Sequence, residues 1–345
     1  MSIGPLEGIR VLDLTNVLAG PYCSYQLSLF GAEIIKVEIP NIGDLARQLG
    51  ADSQLNAELL GASFLAQNAG KKSIELDLKD EVGRETMVKL LKTSDVVLEN
   101  FRPGVMDRLG FGWDRLKEIN PRIIYCAISG FGQTGPMKSR PAYDQIIQGL
   151  SGMMSVTGSG DVTPLRAGFP VCDTVGGLVA AMAISAALAG RAASGEGHFL
   201  DISMLEASAS AMGWAVSNYL ITGEAPSPMG NDNATAAPSG AFSTRSGLVN
   251  IAANKQEQFE ILCRLIGREE LIADPRFQER DARKTNRDEL NVEISIGLGS
   301  KDASEWETIL SEAGVPAARV LTVPQMVELD QLAFRIGLGA SPVIR

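Results

Sequence analysis

Five apolar, strand-like runs separated by helical patterns fill the first 130 residues, and that alternation leaves few architectures open. Residues 9–14, 33–39, 73–78, 95–99 and 123–128 read as strands. Helical patterns occupy 20–31, 80–92, 105–109 and 113–119 between them. Strands that alternate with helices predict a mostly parallel sheet covered on both faces, an α/β fold of Rossmann-like type. Ligands on such sheets lie beyond the carboxyl ends of the strands. Three segments fall there: Thr15-Asn16-Val17-Leu18-Ala19-Gly20-Pro21, Asn100-Phe101-Arg102-Pro103-Gly104 and Ser129-Gly130-Phe131-Gly132-Gln133-Thr134-Gly135-Pro136. The last matches GxGxxG formally. Pro136 and a polar loop follow it, where a nicotinamide site needs a helix, and the fingerprint belongs after a first strand.

An apolar run then stops at Asp173, and an almost uncharged helical pattern spans 174–190. Asp173 is therefore expected at the mouth of a largely buried helix, facing its free N–H groups and the positive end of its dipole. Two compatible readings stand for it: an N-cap, or a nucleophile that the capping geometry keeps ionised and fixed. Gly176 and Gly177, poor helix formers in the first turn, leave room for another molecule's backbone or a ligand. The pattern is too short and too rich in Ala and Gly to span a membrane.

Beyond it, 199–203 reads as a strand and 205–220 as a helix of small residues. Residues 222–239, rich in Pro, Gly, Asn and Ala, read as a linker or mobile loop. A hairpin is expected around Arg245-Ser246-Gly247, a helix over 256–266, a charged and solvated helical face over 281–291, and a capping box at Asp302 and Glu305. The domain reading is a large α/β domain over 1–224, a smaller α+β domain over 225–322, and a segment over 323–345 returning toward the large domain.

The chain contains a single histidine, His198, so multi-histidine metal sites cannot be built within it. No metal is expected, and carboxylate chemistry is favoured by elimination. Cys23, Cys126, Cys172 and Cys263 form no CxxC and read as reduced thiols of a cytoplasm-like compartment. A formal charge of −10 and a pI near 4.8 argue against nucleic acid or an anionic membrane as partner. The N-terminus shows no signal-peptide pattern, so a cytoplasmic location is expected.

Together the motifs resemble the class III CoA-transferases, the group that includes carnitine-CoA-transferring enzymes and 2-methylacyl-CoA racemases. The resemblance runs from Leu6 to about Pro324. It rests on residues 8–15 with Leu18-Ala19-Gly20-Pro21, on Gly31-Ala32-Glu33-Ile34-Ile35-Lys36-Val37-Glu38, on 72–79, on Glu99-Asn100-Phe101-Arg102-Pro103-Gly104, on 129–136, on Ala142-Tyr143-Asp144, on Asp173 with Gly176-Gly177, and on Asp201-Ile202-Ser203-Met204.

The resemblance implies that Asp173 is the catalytic nucleophile, that no cofactor is tightly bound, and that an acyl-CoA and a small carboxylic acid are the substrates. It further implies that Leu76, Asp77, Leu78 and Lys79 hold the adenine, and that Asn100, Phe101 and Arg102 line the pantetheine and phosphate path. Arg108 would meet phosphates, Leu18 and Ala19 would flank the thiol arm, and Ala142, Tyr143 and Asp144 would lie near the thioester. Asn231, Ala236 and Pro238 fall in the family's mobile loop, where the glycine run of oxalate-specific members is absent. Arg140 and Arg166 are candidate partners of the acceptor carboxylate. The racemase branch has histidine where this chain has Tyr143, a poor base near neutrality, so transfer is favoured over racemisation. A nicotinamide-dependent oxidoreductase or a non-catalytic CoA-binding module is the remaining alternative. The resemblance implies an interlocked homodimer, and the family's usual C-terminal extension is expected to be short or missing after Arg345, through natural brevity or through an incomplete sequence.

Overall fold

The structure, a computed structural model, describes residues 4–160 and 162–336. It divides into two compact units that change over between Pro228 and Met229. In the first, β1 (Arg10–Asp13), β2 (Glu33–Glu38), β3 (Lys72–Glu75), β4 (Val96–Glu99), β5 (Ile124–Ser129) and β6 (His198–Ser203) form one sheet in the order β3-β2-β1-β4-β5-β6. Every pairing in it is parallel. This is the doubly wound order, whose crevice opens where the direction reverses between β1 and β4.

Side-chain alternation separates two cores, one on each face. Val96, Leu98, Ile124 and Cys126 face one; Val97, Tyr125 and Ala127 face the other. Because both faces are covered, β4 and β5 read as continuous apolar runs rather than alternating ones. The second unit holds an antiparallel sheet of β7 (Ser239–Ser243), β8 (Leu248–Ala252) and β9 (Ala317–Arg319). Its hairpin falls where Arg245-Ser246-Gly247 placed it, and Asp302 and Glu305 form the expected capping box.

Several expectations change. The long helix runs Val171–Ser194, beginning before 174 and passing through Gly190 to a left-handed Gly195. Its last turn is anchored by Arg191, which is buried, pairs with Asp95 at 2.8 Å and donates to the Arg122 carbonyl. That anchoring outweighs the cost of about 1 kcal/mol for a mid-helix glycine. At 24 residues the helix is long and apolar enough to cross a membrane by length and composition. Here it is a core helix, packed on the Ala19–Leu29 helix, β5 and β6. Gly176 and Gly177 leave room for this chain itself. A Cβ on Gly177 would stand 2.5 Å from the Ala19 carbonyl oxygen, and one on Gly176 3.1 Å from Met204. The 205–220 pattern breaks at Met212 into Met204–Ala211 and Gly213–Thr222. Short helices over Ser53–Ala57, Ala62–Asn68 and Asp144–Leu150 had no legible pattern.

The charged face over 281–291 is not all solvated. Arg283 is buried over the Phe259 ring and donates to the carbonyls of Ala237, Phe277 and Gln278. Arg287 is buried as well and donates to the Ala236 carbonyl. Of the 323–345 segment, Val323–Val327 and Asp330–Ile336 are helical, and residues 337–345 lie outside the described residues.

Candidate active site

Two adjoining cavities open at the carboxyl ends of the strands in the first unit. One, of about 330 Å³, is lined by Leu18, Ala19, Asn100, Phe101, Arg102, Ala142, Tyr143 and Asp173. The other, of about 290 Å³, is lined by Leu76, Asp77, Leu78 and Lys79. Asn16 and Phe101 line both. Twelve of the fourteen residues assigned from sequence to catalysis or to CoA therefore meet on one continuous path across the sheet's crevice, and Arg140 lines the first cavity with them. Arg108 and Asp144 line neither cavity. Arg108 is exposed, with a guanidinium nitrogen 3.4 Å from where a Cβ on Gly104 would stand. Arg166 is exposed and also outside both cavities. Asn231, Ala236 and Pro238 belong to the second unit.

Asp173 is not an N-cap. Pro170 precedes the helix, and Asp173 lies within the first turn. The cap comes from Asp144, whose Oδ1 accepts the backbone N–H of Cys172 at 2.8 Å and of Asp173 at 3.3 Å. Asp144 is buried, and its other oxygen accepts from the Gln148 amide at 2.6 Å. A second acid took the helix terminus because the chain starts its helix at Val171. That leaves the Asp173 carboxylate without a hydrogen-bond donor of its own among the described residues, aimed at the cavity.

Burial, followed by the neighbouring Asp144 charge, pushes the Asp173 carboxyl up to about 7. Its position therefore does not keep it fully ionised near neutrality, where protonated and ionised forms coexist. A helix terminus contributes about 0.3–1 kcal/mol in favour of the anion, less than the desolvation acting against it. A carboxylate so placed is a better nucleophile once ionised, because no donor bond must be broken before it attacks. Activity that needs the anion should rise with pH through about 7 and then level off. Asp144→Asn keeps an acceptor for the helix but removes the adjacent charge. It should move the acidic limb of the kcat/KM profile to lower pH, read directly from a pH–rate series; an unmoved limb would mean burial alone sets it.

The floor of the path is fixed by buried charge. Asp13 at the end of β1 pairs with Lys71 at 3.0 Å and accepts from Ser24, the Thr15 hydroxyl and the Thr15 N–H. Lys36 pairs with Asp44 at 2.9 Å and donates to the Thr15 carbonyl. Asp44 in turn accepts the Val17 N–H at 2.9 Å. These bonds hold Val17 at a φ of 68°, a left-handed conformation that β-branched residues rarely adopt. Asn100 closes the other side. Its amide exchanges two 2.8 Å bonds with the backbone of Asn16, so it lines the path while its polar atoms are already paired.

Asn16, Lys138 and Met204 also line the cavity with Asp173. Asn16 and Met204 fell inside segments singled out in the sequence but had no role there. Lys138 lies in the polar loop just past Pro136, which carried no further signal. His198 opens β6, exposed and away from both cavities. The GxGxxG loop is followed by turns up to Asp144, not by a helix, and Asp201 accepts its Gln133 N–H.

Residues 6–338 match the sequence profile of CoA-transferase family III. The acetyl-CoA:oxalate CoA-transferase of Acetobacter aceti is 40% identical over 333 residues, covering 96% of this chain and 85% of that protein. The succinyl-CoA:glutarate CoA-transferase of Mus musculus is 38% identical over 315 residues, covering 91% of this chain and 72% of that protein. The crystal structure of a CaiB/BaiF family protein from Brucella suis superposes with a TM-score of 0.86 at 35% identity, covering 97% of this chain and 88% of that one. With the doubly wound sheet and a carboxylate waiting in its crevice, these likenesses fix the assignment: the chain belongs to CoA-transferase family III and is a CoA-transferase that uses acyl-CoA substrates.

Proposed function

We propose that this enzyme moves CoA from an acyl-CoA to a small dicarboxylic acid through a covalent aspartyl-CoA thioester on Asp173. One observation carries the reading: Asp173 is the only acidic residue lining its cavity among the described residues, and no donor engages its carboxylate. Its oxygen attacks the donor thioester carbonyl and expels CoA thiolate, leaving a mixed anhydride. The thiolate attacks the aspartyl carbonyl and the donor's carboxylate leaves. The acceptor carboxylate then attacks the aspartyl thioester, and CoA returns to the new acyl carbonyl, freeing the Asp173 carboxylate. No proton is gained or lost over the cycle, so no histidine base is needed. The Cys172 and Asp173 N–H groups are taken by Asp144. The uncapped start of the Ala19–Leu29 helix is therefore the source we assign for oxyanion stabilisation.

The adenine lies along Leu76–Lys79 in the second cavity, pantetheine crosses Asn16 and Phe101, and Leu18 and Ala19 flank the sulfur. Arg102 and Arg108 serve the phosphates from the rim. The assembly we infer is an interlocked homodimer. Apolar side chains on the first unit support it: Trp214, Leu220 and Ile221 are 81%, 75% and 82% exposed, and Met182 on the long helix is 66% exposed. Four buried, unpaired cysteines support a reducing compartment.

The test is to supply acetyl-CoA or succinyl-CoA with oxalate, succinate, glutarate or mesaconate and read the new CoA esters by mass. The relative from Acetobacter aceti keeps oxalate in that panel despite the missing glycine run. Protein incubated with donor alone should gain the mass of CoA less one water, mapped to Asp173. Solvent deuterium entering the donor's α-carbon with no acceptor present, and no such adduct, would favour the racemase instead.

A further inference from the structure

Three cations, Arg102, Lys138 and Arg140, line the cavity that holds Asp173. None of them makes an ion pair or a side-chain hydrogen bond among the described residues. Exposed arginines such as Arg115, Arg245 and Arg276 each sit against a carboxylate. Arg102 follows Phe101, which lines the second cavity too, so it stands on the CoA side of the path. Lys138 and Arg140 come from the loop after β5.

That loop is pinned along its length. The Arg140 N–H donates to the Met137 carbonyl at 2.9 Å. Pro141 fixes its own φ. Ala142 packs so closely on Gly130 that a Cβ there would stand 2.3 Å away. Asp144 then holds the Asp173 N–H. Five consecutive residues thus run from a free guanidinium to the backbone of the nucleophile, and four residues of chain span at most about 14 Å. All three share the cavity with Asp173, yet none comes within ion-pair distance of its carboxylate. A molecule whose one carboxylate reacts at Asp173 can offer them a second.

We propose that Arg140, with Lys138 beside it, is the subsite for the remote carboxylate of a dicarboxylic acceptor. The planar fork of Arg140 suits a carboxylate held by two bonds, and Lys138 adds a point charge. Selectivity for diacids then resides in the β5 loop, while reactivity resides at Asp173. The proposal rests on the Asp173 reading and makes its own separate demand: a preference for diacids that this loop sets.

The test uses acetyl-CoA, a donor without a second carboxylate, and compares glutarate with butyrate in wild type, Arg140→Lys, Arg140→Ala and the double variant Lys138→Ala/Arg140→Ala. Charged hydrogen bonds are worth about 1.5–3 kcal/mol. The glutarate-to-butyrate ratio of kcat/KM should therefore fall about 10- to 100-fold in Arg140→Ala, further in the double variant, and less in Arg140→Lys. An unchanged ratio overturns the proposal, as does a wild type that treats the two acids alike. A rise in KM for acetyl-CoA matching the loss for glutarate also overturns it and assigns Arg140 to the CoA phosphates. The aspartyl-CoA adduct is read in the same samples: its absence from wild type would sink the nucleophile, whereas its presence with an unaltered ratio sinks only the subsite.

Discussion

Asp173→Ala should lower kcat/KM for CoA transfer by at least about 10⁴-fold, the scale on which losing a covalent nucleophile counts. CoA binding should survive, because the adenine and pantetheine contacts assigned above come from other loops. A thermal shift on adding CoA reads that directly. Asp173→Asn separates chemistry from charge. Its amide fills the same space, cannot form the anhydride, and never ionises. The wild-type carboxyl titrates at about 7 in the fold but at about 3.9 in the unfolded chain. Between those values the unfolded chain binds fewer protons, so this group makes stability fall as pH rises from about 4 to 7 and holds it down above. Asp173→Asn should therefore be inactive yet more heat-stable than wild type at pH 8, with the gap closing toward pH 4. An inactive variant no more stable at pH 8 would mean the carboxylate is better solvated than its surroundings suggest. Appreciable transfer by either variant would remove Asp173 from the chemistry altogether.

The sheet and the site's outline were legible because both are written in local pattern. Apolar runs with turns behind them placed the six parallel strands to within a few residues, and the resemblance placed the loops that end them. What stayed hidden are polar residues acting over distance. Asp144 lies 28 positions before the helix terminus it caps at Cys172, so no window around 173 could show that the cap was already supplied. Arg283 and Arg287 read as solvated charge because carbonyl partners leave no mark in sequence. Gly177 carried a true signal of close approach, but a single sequence does not say whether the approaching group is a ligand or the chain's own Ala19 carbonyl.

Asp13 is the residue whose loss should most damage the fold. It sits in an apolar strand, where a carboxylate is out of place unless paired. Lys36 and Lys71 are its buried counter-charges, with side chains 1% and 2% exposed. Together with donors from Ser24 and Thr15 they outweigh its desolvation and hold its carboxyl well below the usual carboxylate range. Removing one partner of a buried pair costs about 3–5 kcal/mol, since it strands the other charge. Asp13→Asn should therefore lower Tm by on the order of 10 °C, at about 2–4 °C per kcal/mol for a unit of this size. The sign with pH is opposite to that of Asp173. A depressed carboxyl contributes stability that is present above its unfolded value, about 3.9, and is lost as pH falls through its folded one. The wild-type advantage over Asp13→Asn should hold from pH 5 to 8 and shrink only below about pH 4. The same bonds fix Thr15 and, through Lys36 and Asp44, the left-handed Val17. The variant that still folds should accordingly show a raised KM for acyl-CoA, because the loop flanking the thioester is no longer held. A Tm within 2 °C of wild type at pH 7 would show instead that Lys71 finds another partner, and that the strained turn at Val17 is kept by its packing alone.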